Sequence, residues 1–365
     1  MFHVSCFKFY VEIMRIMPAM KTVAVDCRFA CTQSGLGRYT RELVKCLLPM
    51  ESNIKWILLP RSANEKWIQA EGRRAEIIEA PFGHYSWNEQ NAFPDLLSKL
   101  KPDLLFSPHF NVPFFCPAPF IATIHDLILH KYPNRSSFLK RIAYKLIMSR
   151  TVNKAKRIIA VSRATLDDLC SVYGTRLIKS KSAVIGEGVN PVFSKRSLAE
   201  IEIAKKRYGL WKPFFLYVGN AKEHKNVQTL IDAFESLNDS GLNLALVTSG
   251  PETAFLSFGG SVKIIPGVPD EDLAALYSGA KAFVTASLYE GFCLPAAEAL
   301  ACGCSVIAGN LEAIKEISKG SAKLVNPDRE SLSRALQSVP SPAIQPFDFS
   351  WNTAAKKTIE LISNL

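Results

Sequence analysis

The chain has 365 residues, enough for two domains at about 150 residues each, so each can bury a core without disulfide or metal staples. Hydrophobic residues at 48% and charged residues at 21% exclude a disordered or fibrous chain, and no run approaches the roughly 20 apolar residues of a membrane-spanning helix. Forty-four Lys and Arg against 33 Asp and Glu leave +11, a surplus that favours polyanions: nucleic acid, anionic lipid or phosphorylated substrates.

Residues 1–19 differ in character from the rest of the chain. Phe2 to Ile16 is apolar but broken by Lys8, Glu12 and Arg15, with no clean small-residue cleavage site, which makes a poor signal peptide. Met20 reads as the start of the folded unit and 1–19 as an extension outside it. From there, short apolar runs alternate with amphipathic segments, the pattern of an α/β doubly wound fold. The first half predicts strands near 22–26, 54–59, 75–79, 103–106, 120–124, 157–161 and 182–185, with helices between them such as Arg38–Leu48 and Trp87–Leu100. The pattern lapses around 186–200, at Gly186-Glu187-Gly188-Val189-Asn190-Pro191, which reads as the linker. A second series predicts strands near 214–218, 243–248, 262–265, 281–286, 304–308 and 322–325, and Trp351–Leu365 as a terminal helix. The expected division is 20–195 for an N-terminal domain, 196–350 for a C-terminal domain, and 351–365 for a helix able to pack back on the first. Open sheets of this kind bind ligands at their strand C-termini, so the cleft between the domains is the default site.

The nine cysteines show no regular framework, and neither Cys27/Cys31 nor Cys302/Cys304 has a second pair at zinc-finger spacing. Small buried thiols in a reducing compartment are expected, which points to the cytoplasm.

The sharpest signal is the segment Ser287–Gly303. A strand runs into a loop carrying Glu290; a helix comes next, with Pro295 suited to its first turn and Gly303 to its C-terminal cap. Amides at such a helix start attract an anion or polar hydroxyls, and Glu298, about one turn in, can face the same space as Glu290. Either glutamate alone would pass for a residue complementing the helix dipole. Together, in EGF-x-LPAAEALACG, they closely resemble the signature of retaining GT-B-type glycosyltransferases of the bacterial group 1 family (glycosyltransferase family 4). Tyr217-Val218-Gly219-Asn220, His224-Lys225-Asn226, Pro266-Gly267-Val268-Pro269-Asp270 and Leu324-Val325-Asn326-Pro327 agree. Asp26-Cys27-Arg28 and Gly35-Leu36-Gly37-Arg38-Tyr39 resemble its mannosyltransferase-like branch.

That resemblance implies a GT-B architecture, two Rossmann-like doubly wound domains facing a central cleft. It also implies that Glu298 holds the ribose hydroxyls of a nucleotide sugar, that Glu290 contacts the transferred sugar, and that amides of Gly291, Phe292 and Leu294 help bind sugar and phosphate. Most members have Gly where Cys293 stands, and many carry a basic residue where Asn220 stands. Lys225 would then meet the diphosphate, with Arg38 or His224 as candidates for the second positive charge. Gly35 and Gly37 would let backbone amides approach the diphosphate; an ordinary turn reads equally well, and with Thr40 in place of a third glycine no dinucleotide fingerprint is complete. His125, in His125-Asp126 at the end of a strand, is implied beside the transferred sugar, ahead of His109 and His130. Val268 is expected to contact the base.

Asp270-Glu271-Asp272 mimics a metal-binding D-x-D but sits where acids favour a helix start, with Asp270 as N-cap. No metal and no other cofactor are expected, the nucleotide sugar being a substrate. Arg135–Arg157 holds eight Lys or Arg and no acid, interleaved with apolar residues, a helix able to meet the anionic inner face of the cytoplasmic membrane or simply a solvated basic face. The resulting expectation is a retaining hexosyltransferase, with mannose from GDP-mannose as first choice. Its acceptor would be a lipid-linked or growing saccharide of lipopolysaccharide or exopolysaccharide. A nucleotide-sugar epimerase of the same fold is the alternative. A nucleic-acid-binding protein is a distant one, because no recognised module or stacking platform accompanies the basic residues.

Overall fold

The computed structural model describes residues 20–32, 34–50, 53–132, 138–341 and 349–365. The predicted extension 1–19 and Arg135, the first residue of the basic stretch, lie outside the described residues. The apolar runs form two sheets whose central strands are buried on both faces, as in parallel sheets covered by helices, while the edge strands Glu76–Ile77, Ser182–Val184 and Ala322–Val325 are only partly buried. The first comprises β1 (Lys21–Asp26), β2 (Ile54–Leu59), β3 (Glu76–Ile77), β4 (Leu104–Ser107), β5 (Phe120–Ile124), β6 (Arg157–Ala160) and β7 (Ser182–Val184), in the order 3-2-1-4-5-6-7. The second comprises β8 (Phe214–Val218), β9 (Asn243–Val247), β10 (Val262–Ile264), β11 (Ala282–Thr285), β12 (Val306–Gly309) and β13 (Ala322–Val325), in the order 10-9-8-11-12-13. Both orders reverse once, at β1/β4 and at β8/β11, where the strand ends leave a crevice. These are the two Rossmann-like α/β domains the sequence predicts.

The second sheet carries a continuous core in which Phe215, Tyr217 and Leu246 pack with Leu230, Ile231 and Phe234 of the helix Val227–Glu235. By packing, the described residues separate into two compact units: those of 20–123, 146–158 and 355–365 form one, and those of 124–145 and 159–354 form the other. The first unit holds a fully buried ionic cluster. The Arg28 guanidinium meets Asp26 at 2.7 Å and Glu89 at 2.8 Å and lies 4.1 Å from the centre of the Phe93 ring. Burial opposes the charge of Arg28, but the two carboxylates outweigh it and raise its pKa.

Two local expectations are corrected. Gly35 and Gly37 do not form a loop ahead of a helix starting at Arg38; the helix runs Gly35–Leu47, with Ser34 as N-cap accepting from the Gly37 amide. Gly37 is required by close approach, since a Cβ there would lie 2.1 Å from the Thr32 carbonyl oxygen. Asp270 is not an N-cap: the helix Asp270–Gly279 is preceded by Pro269 at the cap position, and Asp270 is its first helical residue. The eight described cysteines are all free, with Cys27, Cys293, Cys302 and Cys304 buried and Cys31 exposed, so the buried-thiol expectation holds for only part of the set.

Candidate active site

The candidate site residues all belong to the second unit except Gly35, Gly37, Arg38 and the lower-ranked His109, which belong to the first. At the β8/β11 reversal, two strands deliver the groups that matter. β8 ends at Val218, and the chain continues through Gly219 and Asn220 to a short 3-10 turn, Glu223–Lys225. β11 ends at Thr285 and leads through Glu290 to the helix Leu294–Ala301. The Leu288 amide donates to the His224 carbonyl at 2.8 Å, which ties the two loops together. Lys225 Nζ thereby reaches both carboxylate oxygens of Glu290, at 2.7 and 2.8 Å. Burial alone would lower the Lys225 pKa; the facing Glu290 carboxylate reverses this, and the ammonium is held above its ordinary range.

Cys293 is the N-cap of the Leu294 helix with φ 73° and ψ 62°, a left-handed conformation at which a residue with a Cβ is strained. Its carbonyl accepts from the amides of Ala296 at 3.0 Å and Ala297 at 3.3 Å, and Pro295 has no amide to offer. The Leu294 amide thus remains as an N-terminal donor of the helix, consistent with an anion-binding start. Glu298 lies one turn in and is buried at 3% exposure, its Oε2 accepting from the Tyr277 hydroxyl at 3.2 Å. The Phe292 side chain packs edge-on against Phe349, so only its backbone is placed to serve a ligand.

Gly291 shows why the Glu290 loop sits where it does. A Cβ there would lie 1.7 Å from the His125 carbonyl oxygen, so only glycine lets the loop close onto the end of β5. The Gly291 carbonyl accepts from Ser162 Oγ at 2.5 Å and Thr165 Oγ1 at 3.3 Å, and Thr165 Oγ1 also reaches the His125 carbonyl at 3.1 Å. His125 Nδ1 lies 3.1 Å from Glu187 Oε1. Next to it, burial raises the pKa of Asp126, whose carboxylate accepts from the Ile128 amide at 2.9 Å. The Tyr289 hydroxyl accepts from the Leu127 amide at 2.9 Å and donates to Asp168 at 2.8 Å.

The structure therefore brings together His125, Lys225, Glu290 and Gly291, with Glu298 buried on the Leu294–Ala301 helix that follows the Glu290 loop. Asn220 is exposed; its carbonyl accepts from the Tyr217 hydroxyl at 2.6 Å and its side-chain oxygen from the Lys222 amide at 3.2 Å. Val268 sits half-buried in the loop after β10, behind Gly267 with its φ of 67°. His224 is disfavoured as the second positive charge. Burial and the neighbouring Lys225 push its pKa down to about 4, so the ring is neutral near pH 7. The cation nearest Asn220 in sequence is Lys222, which is exposed. Asp272 of the acidic triplet is taken up by Arg207 at 2.5 Å and the Tyr208 hydroxyl at 2.7 Å, a helix-to-helix pairing. Glu187 is the residue that sequence reasoning misses, since the linker reading takes it in. The one available signal is a carboxylate between two glycines, Gly186 and Gly188.

Two family models match the chain: Glycosyltransferase Family 4 over residues 33–193 and Glycosyl transferases group 1 over 200–345. The O-antigen chain mannosyltransferase B of Escherichia coli is 27% identical over 66% of this chain and 68% of that protein. The O-antigen chain mannosyltransferase RfbU of Salmonella typhimurium is 26% identical over 57% of each chain, so the alignment spans little more than half of that relative. Among solved structures, Anabaena HepE in complex with UDP and glucose superposes with a TM-score of 0.69 at 15% identity, covering 95% of this chain and 100% of that one, a likeness of fold. With one model on each half and the two-sheet fold beneath them, the chain belongs to the group 1, family 4 glycosyltransferases of GT-B fold.

Proposed function

We propose that the chain is a retaining hexosyltransferase that moves mannose from GDP-mannose onto a lipid-linked or growing saccharide in lipopolysaccharide or exopolysaccharide synthesis. The observation that carries this reading is the Lys225–Glu290 pair at 2.7 and 2.8 Å, set beside the start of the Leu294 helix with Glu298 buried behind it. The mannosyltransferase names of the E. coli and Salmonella relatives support the choice of sugar and pathway.

In this reading a donor diphosphate draws the ammonium of Lys225 off Glu290 and takes further stabilisation from the Leu294 amide. Both favour the charge that develops as the glycosidic bond breaks. The freed Glu290 carboxylate turns to the hexose, whose ring gains positive character in the transition state, while Glu298 holds the ribose. Glu187, accepting from His125 Nδ1, fixes the imidazole so that Nε2 is presented to the sugar. The departing phosphate accepts the acceptor's proton on the same face, so no strong protein base is needed and the anomeric configuration is kept. Lys225 and the helix start supply the positive charge, and the mechanism calls on no metal.

The reading extends to the membrane surface. On the helix Phe138–Lys154, Phe138, Leu139 and Leu146 are 71%, 76% and 58% exposed and alternate with Lys140, Arg141 and Lys145. That combination suits peripheral docking on anionic lipid, and vesicle binding that fails to weaken with added salt would count against it. Among the described residues no helix is long and apolar enough to cross a membrane.

The deciding experiment offers a panel of nucleotide sugars, follows thermal unfolding and transfer, and reads the anomeric configuration of the product by NMR. GDP-mannose should give the largest shift and an α-linked product. A β-linked product would remove retention, and a larger shift with another donor would remove mannose.

A further inference from the structure

The chain around Glu290 is pinned residue by residue, wholly within the second unit. The Leu288 carbonyl accepts from the Tyr132 hydroxyl at 3.3 Å, and the Leu288 amide donates to the His224 carbonyl. Gly291 is held through its carbonyl by Ser162 and Thr165. Tyr289 differs from both, because it is held through its side chain and the hold ends on a carboxylate. Its hydroxyl accepts from the Leu127 amide at 2.9 Å and donates to Asp168 Oδ2 at 2.8 Å. Burial raises the Tyr289 pKa and the facing Asp168 carboxylate adds to it, so the phenol keeps the proton that it donates.

Asp168 has a second arm. Its Oδ1 takes the Lys131 ammonium at 2.5 Å, and that ammonium lies 5.0 Å from the centre of the Tyr289 ring. Lys131 ends the short helix Ile128–Lys131, which follows directly on His125-Asp126-Leu127. One carboxylate, on a side chain only 18% exposed, thus holds the Glu290 loop by one oxygen and the segment after His125 by the other.

The helix that carries Asp168 is already committed to both loops. Ser162, Thr165 and Asp168 recur at intervals of three at the start of the helix Arg163–Tyr173 and follow one another along one side of it. Ser162 bonds the Gly291 carbonyl, Thr165 bonds the carbonyls of Gly291 and His125, and Asp168 completes the row. Its bonds are charge-assisted, the stronger kind. Without Asp168 the buried Tyr289 hydroxyl would lose its acceptor, a penalty that favours movement of the ring and of the loop that it carries.

We propose that Asp168 is a positioning residue for glycosyl transfer: acting through Tyr289 and Lys131, it sets the spacing of Glu290 and His125 at the transferred hexose. The assignment rests on the glycosyl-transfer reading and adds a residue that works through its neighbours rather than by touching the sugar.

The test compares Asp168→Ala, Tyr289→Phe and the double variant with the native full chain. Asp167→Ala removes the exposed neighbouring acid of the same helix and serves as the control. Transfer kinetics give kcat and donor KM, and thermal unfolding with GDP shows that each variant is folded with its nucleotide site intact. NMR of the histidine rings, with His125 assigned by its loss in His125→Asn, reports the position of the His125 loop without any turnover. Asp168→Ala should lower kcat by about tenfold or more, as a displacement approaching 1 Å does, with the donor KM within about twofold. It should also shift the His125 resonance, while Asp167→Ala changes neither. The double variant should lose less than the product of the two single losses, because the two residues act as one unit. Tyr289→Phe removes only a hydroxyl and gives the same readings if Asp168→Ala proves unstable. A folded Asp168→Ala with kcat within about twofold of native, an unmoved His125 resonance, a loss seen only in KM, or losses that multiply in the double variant would each overturn the assignment. No transfer by the native chain from any nucleotide sugar would instead overturn the glycosyl-transfer reading, and the His125 resonance would still decide whether Asp168 positions the loop.

Discussion

Replacing Gly291 by alanine tests how the Glu290 loop is held. The added methyl would start 1.7 Å from the His125 carbonyl oxygen, 2.8 Å from its carbon and 3.2 Å from Asp126 Cβ. Real Cβ contacts do not fall below 3.0 Å, so either the loop or the end of β5 must move by more than an ångström. Neither yields easily, because Ser162 and Thr165 hydrogen-bond the Gly291 carbonyl while Thr165 also holds that of His125. Overpacking of this kind costs about 1–3 kcal/mol, and at about 2–4 °C per kcal/mol for a domain of 150–250 residues the Tm should fall by several degrees. The larger effect is catalytic: a shift of about 1 Å in a positioned group costs on the order of 100-fold, and here it moves Glu290 and His125 apart. Transfer assays on the purified variant beside its unfolding curve give both numbers. A variant with unchanged Tm and kcat within about twofold of the native chain would refute the idea that close approach at Gly291 sets the site.

Three more outcomes are expected from the same geometry. Lys225→Ala should lower nucleoside-diphosphate affinity and turnover together, kcat by about 100-fold, as for loss of a single charge-stabilising donor; unchanged turnover in a transfer assay would return Lys225 to an ordinary partly buried lysine. Glu298→Gln should mainly raise the donor KM, because ribose contacts hardly change during the reaction, whereas Glu290→Gln should chiefly lower kcat; equal KM effects with kcat spared would undo that division. His224 should make the fold acid-sensitive. Its pKa is about 4 folded against 6.5 unfolded, so the unfolded chain binds more protons in that window. Stability is then full above pH 6.5 and declines as pH falls toward 4, and His224→Asn should flatten this slope in denaturant titrations run at several pH values.

Much of the fold is legible because its strands are short, continuous apolar runs. Ile54–Leu59, Phe120–Ile124, Phe214–Val218 and Ala322–Val325 have the predicted limits. Expectation and structure part where tertiary context decides. At 75–79 only Glu76–Ile77 pairs, because β3 is an edge strand with β2 as its neighbour. Asp270 has the right chemistry for a cap, but Pro269 already occupies the extended position that a cap requires. The helix-entry loop and its two glutamates are readable from local spacing. The contacts that organise the site are not: Lys225 reaches Glu290 across 65 residues and His125 reaches Glu187 across 62. The same holds for Arg28, a residue type that is almost never fully buried unless paired, whose second partner Glu89 lies in another helix. Burial also removes His224 from the cations, and no spacing rule signals that a ring will be enclosed.

The first unit is discontinuous in sequence. Residues 355–365 belong to it, and Lys21 in its first strand donates to the Ile362 carbonyl at 3.0 Å across a separation of 341 residues. During ribosomal synthesis, at about 5–20 residues per second, domains ordinarily close in the order in which they emerge. Here the N-terminal unit, otherwise made by residue 158, waits for its last piece until some 200 further residues have been made, roughly 10–40 seconds at that pace. Over that interval the surface later covered by residues 355–365 stays open, and the second unit, which runs to residue 354, is itself completed only just before them. A fragment ending near residue 195 would lack that helix, so the helix supplied as a separate peptide should restore what the truncation removes.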